Sequence, residues 1–177
     1  MARLKKIDER PPAIRWLIRR DMPEVMEIEN RSFAFPWSEE EFLVVLRERN
    51  CIGTVYESAQ GYIHGFMIYE LHKDTLRVLN LAVAPEVRKT GVGRAMAQRL
   101  IDKLSDQKRR FIEAKVRETN LKAQLFFSAA GFRAVKTLRE HYDETDEDAI
   151  LFRYTLASLK PVPAVDGSNR ISQYDDP

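Results

Sequence analysis

The sequence contains a single cysteine, Cys51, among its 177 residues. One cysteine cannot form a disulfide within the chain, which suits a protein of the reducing cytoplasm. No apolar run approaches the ~20 residues that cross a bilayer, and residues 1–12 are charged and lack the apolar segment of a secretory signal. A formal net charge of only +2 gives no strong electrostatic footprint for nucleic acid. We therefore expect a cytoplasmic protein that neither inserts into a membrane nor binds nucleic acid directly.

Hydrophobic residues make up 44% of the chain, which at this length is enough for one compact domain with a buried core. The two ends differ from the middle in composition. Residues 1–12 are polar and end in two prolines, and the last residues are rich in proline and aspartate, which is typical of disordered segments. We expect a polar N-terminal extension at 1–12, a domain at 13–158 and a disordered tail at 159–177.

The hydrophobic pattern predicts the element order β-α-α-β-β-β-α-β-α-β-β. Three successive strands followed by strands that alternate with helices are typical of a mixed sheet with helices on both faces, in the α/β class. Two helix starts are marked by Asp21, a good N-cap, and by Ser38 with Glu41, which form a capping box. The predicted strands are 14–18, 52–56, 62–71, 76–83, 111–116, 132–138 and 150–156, and the two later helices end near 105 and 130.

A basic segment with two glycines, Arg88–Ala95, lies between a predicted strand and a predicted helix. Gly91 and Gly93 allow the backbone to approach a ligand closely, and the first helical turn offers unpaired N–H groups and a positive dipole end. This arrangement can bind a pyrophosphate. The alternative is an ordinary turn whose basic side chains face solvent. The segment lacks the spacing of a nucleoside-triphosphate loop and the third glycine of a dinucleotide fingerprint.

The pattern Arg88-x-x-Gly91-x-Gly93 resembles the acetyl-CoA loop, Arg/Gln-x-x-Gly-x-Gly/Ala, of the GNAT (GCN5-related N-acetyltransferase) family. The resemblance extends from about residue 14 to residue 156, and it implies the GNAT fold and acetyl-CoA as the acetyl donor. Further segments, in the same order, are similar to motifs of the bacterial ribosomal-protein-alanine N-acetyltransferases of this family: Phe33–Ser38, Lys115–Asn120, Phe126–Phe132, and Arg139–Tyr142 with Glu147–Ala149.

The resemblance implies how the donor is bound. The loop would hold the pyrophosphate, and the strand before it would pair with the pantetheine arm, with one strand N–H facing the carbonyl oxygen. Asn120 matches a cofactor-contacting asparagine of the family; the alternative is a plain helix N-cap, and both roles can hold together. The cofactor-binding residues implied in this way are Leu81, Ala82, Val83, Arg88, Lys89, Thr90, Gly91, Val92, Gly93, Arg94, Asn120 and Phe127.

The resemblance also implies a cleft for the acceptor. Phe35 and Trp37 would form one wall, and Tyr142, with His141, the opposite wall on a hairpin. In the family this cleft holds the first residues of a flexible N-terminus through backbone contacts. The alternative is that Phe33, Phe35 and Trp37 fill the core beneath a loop.

The chain departs from the family at the acid–base pair, because the family's glutamate and tyrosine align with Lys115 and Phe127. A protonated lysine cannot accept an amine proton, and phenylalanine has none to donate. Glu113 shares a strand face with Lys115, so it can act as the base, directly or through one water, or alternatively pair with Lys115. Tyr142 offers a phenol, and His141 has the pKa range of a base. Our candidate catalytic residues are therefore Glu113, Tyr142 and His141.

These observations favour an acetyl-CoA-dependent N-acetyltransferase that needs no metal. The expected acceptor is the N-terminal α-amine of a peptide or protein, such as a ribosomal protein, and the acetyl group is expected to pass directly to it. Two alternatives stay open. One is transfer to a lysine or a small-molecule amine, and the other is a weakly active or non-catalytic acetyl-CoA-binding module, which the residues at positions 115 and 127 favour.

Overall fold

The computed structural model of the chain describes residues 11–157, so most of the predicted extension and tail lies outside the described residues and the domain boundaries stay predictions. The observed elements follow the predicted order. The strands are β1 (Ala13–Trp16), β2 (Cys51–Glu57), β3 (Ile63–Leu71), β4 (Thr75–Val83), β5 (Phe111–Arg117), β6 (Arg133–Tyr142) and β7 (Glu147–Thr155). The α-helices are α1 (Met22–Ser32), α2 (Glu39–Arg47), α3 (Val92–Ile101) and α4 (Leu121–Ala129), and short 3-10 turns lie at Arg19–Asp21 and Pro85–Val87.

The seven strands form one mixed sheet in the order β1-β2-β3-β4-β5-β7-β6. Neighbouring strands are antiparallel except for β4 and β5, which are parallel and joined by α3. A parallel pair requires a long crossover, and a helix usually supplies it. The predicted mixed sheet is confirmed, and its one parallel pair lies at the centre.

Two hydrophobic cores cover the two faces of the sheet. On one face, α3 and α4 pack against the alternate β5 residues Ile112, Ala114 and Val116. On the other face, α1 and α2 pack against β2, β3 and β4, as the buried residues Val55 and Phe66 show. Helices α1 and α2 do not extend over β5, β7 and β6, so this face of those three strands is largely uncovered. We call this uncovered area, which carries the odd-numbered residues of β5, the open face.

Two local predictions had different outcomes at the helix starts. Ser38 and Glu41 do form the predicted capping box, since the Ser38 hydroxyl accepts a hydrogen bond from Glu41 N and Glu41 accepts one from Ser38 N. Asp21 precedes α1 but does not cap it with its side chain. Its carboxylate instead accepts hydrogen bonds from Ile18 N and from Arg15, because the preceding 3-10 turn points it back toward β1.

The predicted bounds differ most at the last two strands. β6 runs on to Tyr142 and β7 begins at Glu147, so the hairpin between them is much tighter than the sequence predicted. Most of β6 is exposed because it is the edge strand of the sheet, and it therefore lacks the apolar alternation that marks a half-buried strand. Helix α3 ends at Ile101 rather than near 105, and the chain continues there as a hydrogen-bonded turn.

Gly65 on β3 tests how closely the central strands must pack. A Cβ atom there would lie 2.9 Å from the backbone oxygen of Ala82 on β4, which cannot rotate away. We expect Gly65→Ala to lower the free energy of unfolding by about 1–3 kcal/mol, measured by urea denaturation. Gly53→Ala is the control and should lose less, because its Cβ meets the movable methyl tip of Leu46 at 2.8 Å and a fixed atom, Leu17 Cβ, only at 3.1 Å. An equal or larger loss in the Gly53 variant would contradict this account.

Candidate active site

The candidate site is built around a gap between β4 and β5. Their pairing begins at Thr75 and Phe111 and ends at Val78 and Ala114. Beyond that point β4 still pairs with β3, after a register shift between Ile68 and Tyr69 on β3. An irregularity of this kind bends and twists a strand locally. The last residues of β4, 79–83, therefore have a partner strand on one side and a gap on the other.

The peptide groups that face this gap can be identified from the hydrogen bonds on the other side of β4. Ala84 N donates to His64 O, so this N–H points toward β3. In a strand the N–H and C=O of one residue point to the same side and those of the next residue to the opposite side, so the N–H and C=O groups of Leu81 and Val83 point into the gap. The Val83 carbonyl oxygen is already taken, since it accepts a hydrogen bond of 2.9 Å from Arg88 Nε. The gap can therefore accept an extended ligand as an added strand.

The glycine loop lies at the end of β4 and leads into α3. Lys89 and Gly91 both have positive φ angles, 64° and 100°, and a left-handed residue at Gly91 forms the helix N-cap. Such alternation of hand is the geometry in which successive amides form an anion-binding concavity. Gly91 is needed for its φ angle, because a Cβ there would meet nothing within 4 Å. No side chain caps α3, so its first N–H groups are available to an anion.

Gly93, the second glycine, is needed for space. A Cβ there would lie 3.1 Å from the ring of Phe126 on α4 and 3.5 Å from Val83 Cγ2 on β4. The glycine therefore lets α3 approach both elements closely where the gap begins. Arg88, Lys89, Thr90 and Arg94 are exposed along the loop.

Asn120 and Phe127 belong to the α4 side of the gap. Asn120 Oδ1 accepts a hydrogen bond of 3.1 Å from Ala123 N, so the N-cap interpretation is confirmed. Phe127 is only 6% exposed and packs in the core against Phe126, Phe132 and Phe152. Contact of either residue with a cofactor stays a prediction.

On the open face, Arg117 at the end of β5 joins the two predicted walls of the acceptor cleft. Its guanidinium lies 5.2 Å from the ring centroid of Phe35, on the loop between α1 and α2, and 3.8 Å from that of Tyr142 on β6. It also contacts Glu144, in the turn between β6 and β7, and Glu147, the first residue of β7. Thr119 and Arg117 donate to Glu147 and hold the pKa of that carboxyl at about 2. The structure thus brings Phe35 and Tyr142 together.

The aromatic residues of the α1–α2 loop divide between the two interpretations. Trp37 packs edge-on against Phe42, with ring centroids 5.3 Å apart, and Phe33 also packs against the core under α1 and α2. Phe35 is 50% exposed and faces the cleft. Phe33 and most of the Trp37 side chain therefore fill the core, while Phe35 lines the wall of the cleft. A substrate contact of Trp37 stays a prediction.

A bulge in β6 positions His141 and Tyr142. Register is lost between Leu138 and Tyr142, and Glu140 has a positive φ of 46°. Asp148 holds this conformation, since its carboxylate accepts hydrogen bonds from Glu140 N at 2.9 Å and from Arg139 at 2.7 Å. Bulges of this kind re-aim side chains next to functional sites. The Arg139–Tyr142 and Glu147–Ala149 motifs therefore form one structural unit.

Burial and nearby charges shift the pKa values of His141 and Tyr142. Burial, and then the nearby charge of Lys115, lowers the pKa of His141 below its usual value of 6.5. His141 is therefore a neutral imidazole at pH 7, which can accept a proton. Burial raises the pKa of the Tyr142 phenol, so this group stays protonated.

Glu113 lies outside the gap, on the part of β5 that still pairs with β4. It is opposite Arg77 on one side and Arg153 on the other. Both Nε and Nη2 of Arg153 donate to Glu113 Oε1, at 2.9 and 2.5 Å. The alternative that Glu113 pairs with Lys115 is wrong, because its partner is Arg153. A role of Glu113 as the base stays a prediction, and this ion pair argues against it because Arg153 already occupies Glu113 Oε1.

The sequence interpretation missed a buried pair that links α1 to β4. Glu29 is 1% exposed, and its carboxylate accepts hydrogen bonds from Trp37 N at 2.8 Å and from Asn80 Nδ2 at 3.0 Å. It therefore ties the α1–α2 loop to the strand that borders the gap. Asn80 Oδ1 is buried and has no hydrogen-bond partner among the described residues. One signal was present: Glu29 follows Val25 and Ile28 on the apolar side of α1.

No group of three or more potential metal ligands among His, Cys, Asp and Glu occurs within residues 11–157. In the same part of the chain, no helix has both the length and the apolar character needed to cross a bilayer.

The strand gap and the glycine loop at a helix N-terminus lie side by side, as the resemblance to an acetyl-CoA-binding transferase implies. Comparison with known families agrees, because the model of the acetyltransferase (GNAT) family matches residues 12–132. The chain therefore belongs to the acetyltransferase (GNAT) family.

The chain is also similar to individual members of this family. The chain is 33% identical over 133 residues to [Ribosomal protein bS18]-alanine N-acetyltransferase of Escherichia coli strain K12, which covers 74% of this chain and 88% of that protein. The crystal structure of the ribosomal-protein-S18-alanine N-acetyltransferase from Escherichia coli aligns with a TM-score of 0.73 at 28% identity, over 86% of this chain and 98% of that one. NAA60 of Arabidopsis thaliana in complex with acetyl-CoA has the same fold, with a TM-score of 0.71 at 18% identity, over 82% and 99% of the two chains.

The buried carboxyl of Glu29 predicts a pH-dependent stability. Burial raises its pKa above the usual 4.5, so the folded state favours the neutral form. Between pH 4.5 and the higher folded-state pKa, the unfolded chain ionises Glu29 more readily than the folded protein does. The wild type therefore loses stability as the pH rises through this range, whereas a variant with a neutral side chain does not. In urea denaturation at several pH values, Glu29→Gln should therefore gain stability relative to wild type as the pH rises.

Glu27→Gln is the matched control, because it removes a carboxyl from the exposed side of the same helix. A Glu29→Gln difference that stays constant from acid to neutral pH would show that Glu29 carries no raised pKa.

Proposed function

We propose that this chain transfers the acetyl group of acetyl-CoA to the N-terminal α-amine of a protein. The single observation that carries the proposal is the position of the β4–β5 gap, which opens toward the glycine loop at one end and toward the Arg117 cleft on the open face. A donor and an acceptor can thus approach the same strand ends from two directions. The curated relative at 33% identity is named for N-terminal alanine acetylation of a ribosomal protein, which supports this acceptor class.

Acetyl-CoA, when bound, supplies an acetyl group activated as a thioester. The residues present fit this molecule. The free N–H groups of α3 and the left-handed Lys89 and Gly91 suit a pyrophosphate, and the exposed cations Arg88 and Arg94 add positive charge. The Leu81 and Val83 peptide groups suit an amide-containing arm that lies in the gap, and the Leu81 N–H is available to stabilise negative charge.

His141 is the group that we propose takes the proton from the acceptor amine. It lies beside Tyr142 in the cleft wall, it is half-buried, and its lowered pKa keeps it neutral at pH 7. The two other candidates fit less well. Glu113 is bound to Arg153, and Tyr142 keeps its proton and stacks on Arg117. Tyr142 can instead donate a hydrogen bond to the acceptor backbone.

A protein acceptor in the cytoplasm, such as a ribosomal protein, fits these features. The cleft is bordered by Phe35 and Tyr142, whose apolar rings can hold a short extended segment, and no described helix closes the open face above β5. A flexible N-terminus can therefore enter without folding.

Purified full-length protein tests the proposal with a panel of N-terminal peptides and with peptides whose α-amine is blocked but which carry a free lysine. We expect product with the free α-amine alone, measured by mass spectrometry. His141→Gln should lower kcat about 10²–10⁴-fold, the usual effect of losing a general base. Glu113→Gln and Tyr142→Phe should have smaller effects on kcat.

Other outcomes separate the alternatives. Product from the blocked peptides would support a lysine acetyltransferase. Acetyl-CoA binding by calorimetry without product from any acceptor would support a non-catalytic module. Loss in Glu113→Gln alone would assign the base to Glu113.

The pH profile gives a second prediction. Since burial and Lys115 lower the pKa of His141, the acid limb of kcat/KM should lie below 6.5. This acid limb should disappear in His141→Gln. The pH dependence of kcat/KM that comes from the α-amine of the acceptor, whose pKa is about 8, should remain. An acid limb that is unchanged in this variant would exclude His141 as the base.

A further inference from the structure

Lys115 lies on the open face, and no ion pair or side-chain hydrogen bond within residues 11–157 involves it. It is exposed and follows Ala114, the last β5 residue that pairs with β4, so it lies where the gap opens. In register it is opposite Leu151 on β7, and Leu151 is opposite Lys136 on β6. Its charge also acts on His141, which places it near the proposed base.

The carboxylates around this position are already engaged by other cations. Glu113, two residues before Lys115, is bound to Arg153, and Glu144 and Glu147 are bound to Arg117. Asp148 is bound to Arg139. Among residues 11–157, no ion pair or hydrogen bond links the Lys115 side chain to any of these groups.

One further carboxylate affects the same neighbourhood. Asp143 raises the pKa of His141, whereas Lys115 lowers it, and the effect of Lys115 is the larger of the two. The net field at the proposed base is therefore positive. The resemblance implies a glutamate at this position in the family, so the charge at the cleft floor is the reverse of the one that the resemblance implies.

We propose that Lys115 selects acceptor chains that carry a carboxylate side chain at the second or third residue. The proposal rests on the proposed N-terminal acetylation. An acceptor whose α-amine lies at the gap must run outward across the open face, and an extended chain advances about 3.3 Å per residue. Its first few side chains therefore pass over Lys115.

An acidic side chain on the acceptor is favoured beside Lys115 because basic and neutral side chains bind less well there. A basic side chain next to Lys115 would be repelled, and a neutral one would leave the ammonium group with water as its partner. A carboxylate gains an ion pair beside Leu151 at an exposed position, so the gain is modest and is screened by salt. The preference should appear in KM, because the pair forms on binding.

The test uses full-length protein, saturating acetyl-CoA and peptides of one length that differ only in glutamate, glutamine or lysine at position two or position three. We expect kcat/KM to fall in that order at one of these positions, by about 1.5- to fivefold for each step, the range of an exposed ion pair. The differences should lie mainly in KM and should shrink as ionic strength rises.

Two substitutions at one position make the inference falsifiable. Lys115→Gln should equalise the peptides, and Lys115→Glu should reverse their order. Each comparison is a ratio between peptides on the same enzyme, so a uniform change in kcat caused by a shifted His141 pKa cancels. Lys136→Gln is the matched control. It removes the same charge from the same face about 9.5 Å away, two strand spacings across the sheet, and should keep the wild-type order.

The outcomes separate this inference from the proposed function. If the wild type acetylates all the peptides with equal kcat/KM, or if Lys136→Gln alone removes the preference, selection by Lys115 is wrong while N-terminal acetylation stands. If no peptide with a free α-amine is acetylated, N-terminal acetylation itself fails, and the inference fails with it.

Discussion

The end of hydrogen bonding between β4 and β5, at Val78 and Ala114, is the constraint on which the rest of the site depends. A strand that loses a neighbour must expose peptide groups, and buried peptide groups without partners cost free energy. Here the exposed groups of Leu81 and Val83 lie between the glycine loop and the open face, where a ligand can satisfy them. The same feature that weakens the sheet therefore creates its binding capacity.

Arg117 is the second organising residue, because it joins elements that are distant in sequence. Its guanidinium lies between the rings of Phe35 and Tyr142 and is neutralised by Glu144 and Glu147. An arginine suits this position better than a lysine, since its planar group can stack on aromatic rings and still donate in its own plane. The cleft walls are thus held together by one side chain from the end of β5, next to the gap.

Much of the fold was predictable from the sequence because its signals are local. The capping box at Ser38, the glycines of the loop and the apolar alternation of the central strands each predict one element, and the structure confirms those elements. The extension of β6 to Tyr142 was not predictable, since an edge strand that is exposed on both faces carries no hydrophobic alternation. Local signals also could not show that Asp21 would bind Arg15 rather than cap α1.

The candidate site was less predictable because its properties depend on pairs of distant residues. Glu29 and Asn80 are 51 positions apart, and neither has a motif that predicts their hydrogen bond. Glu113 was an equally reasonable base until Arg153, 40 positions later, proved to be its partner. Partners of this kind decide whether a carboxylate is free to act on a substrate, and only the sheet register brings them together.

The lysine at position 115 connects these points in one physical argument. Burial, and then the positive charge of Lys115, lowers the pKa of His141, and both effects favour the neutral form that the proposed base requires. The same charge also lowers the pKa of any amine that enters the cleft, which increases the neutral fraction of the acceptor. In the proposed mechanism, His141 on the opposite wall takes the role that the resemblance assigns to a glutamate at position 115, and the positive charge at that position favours the neutral imidazole that this role needs.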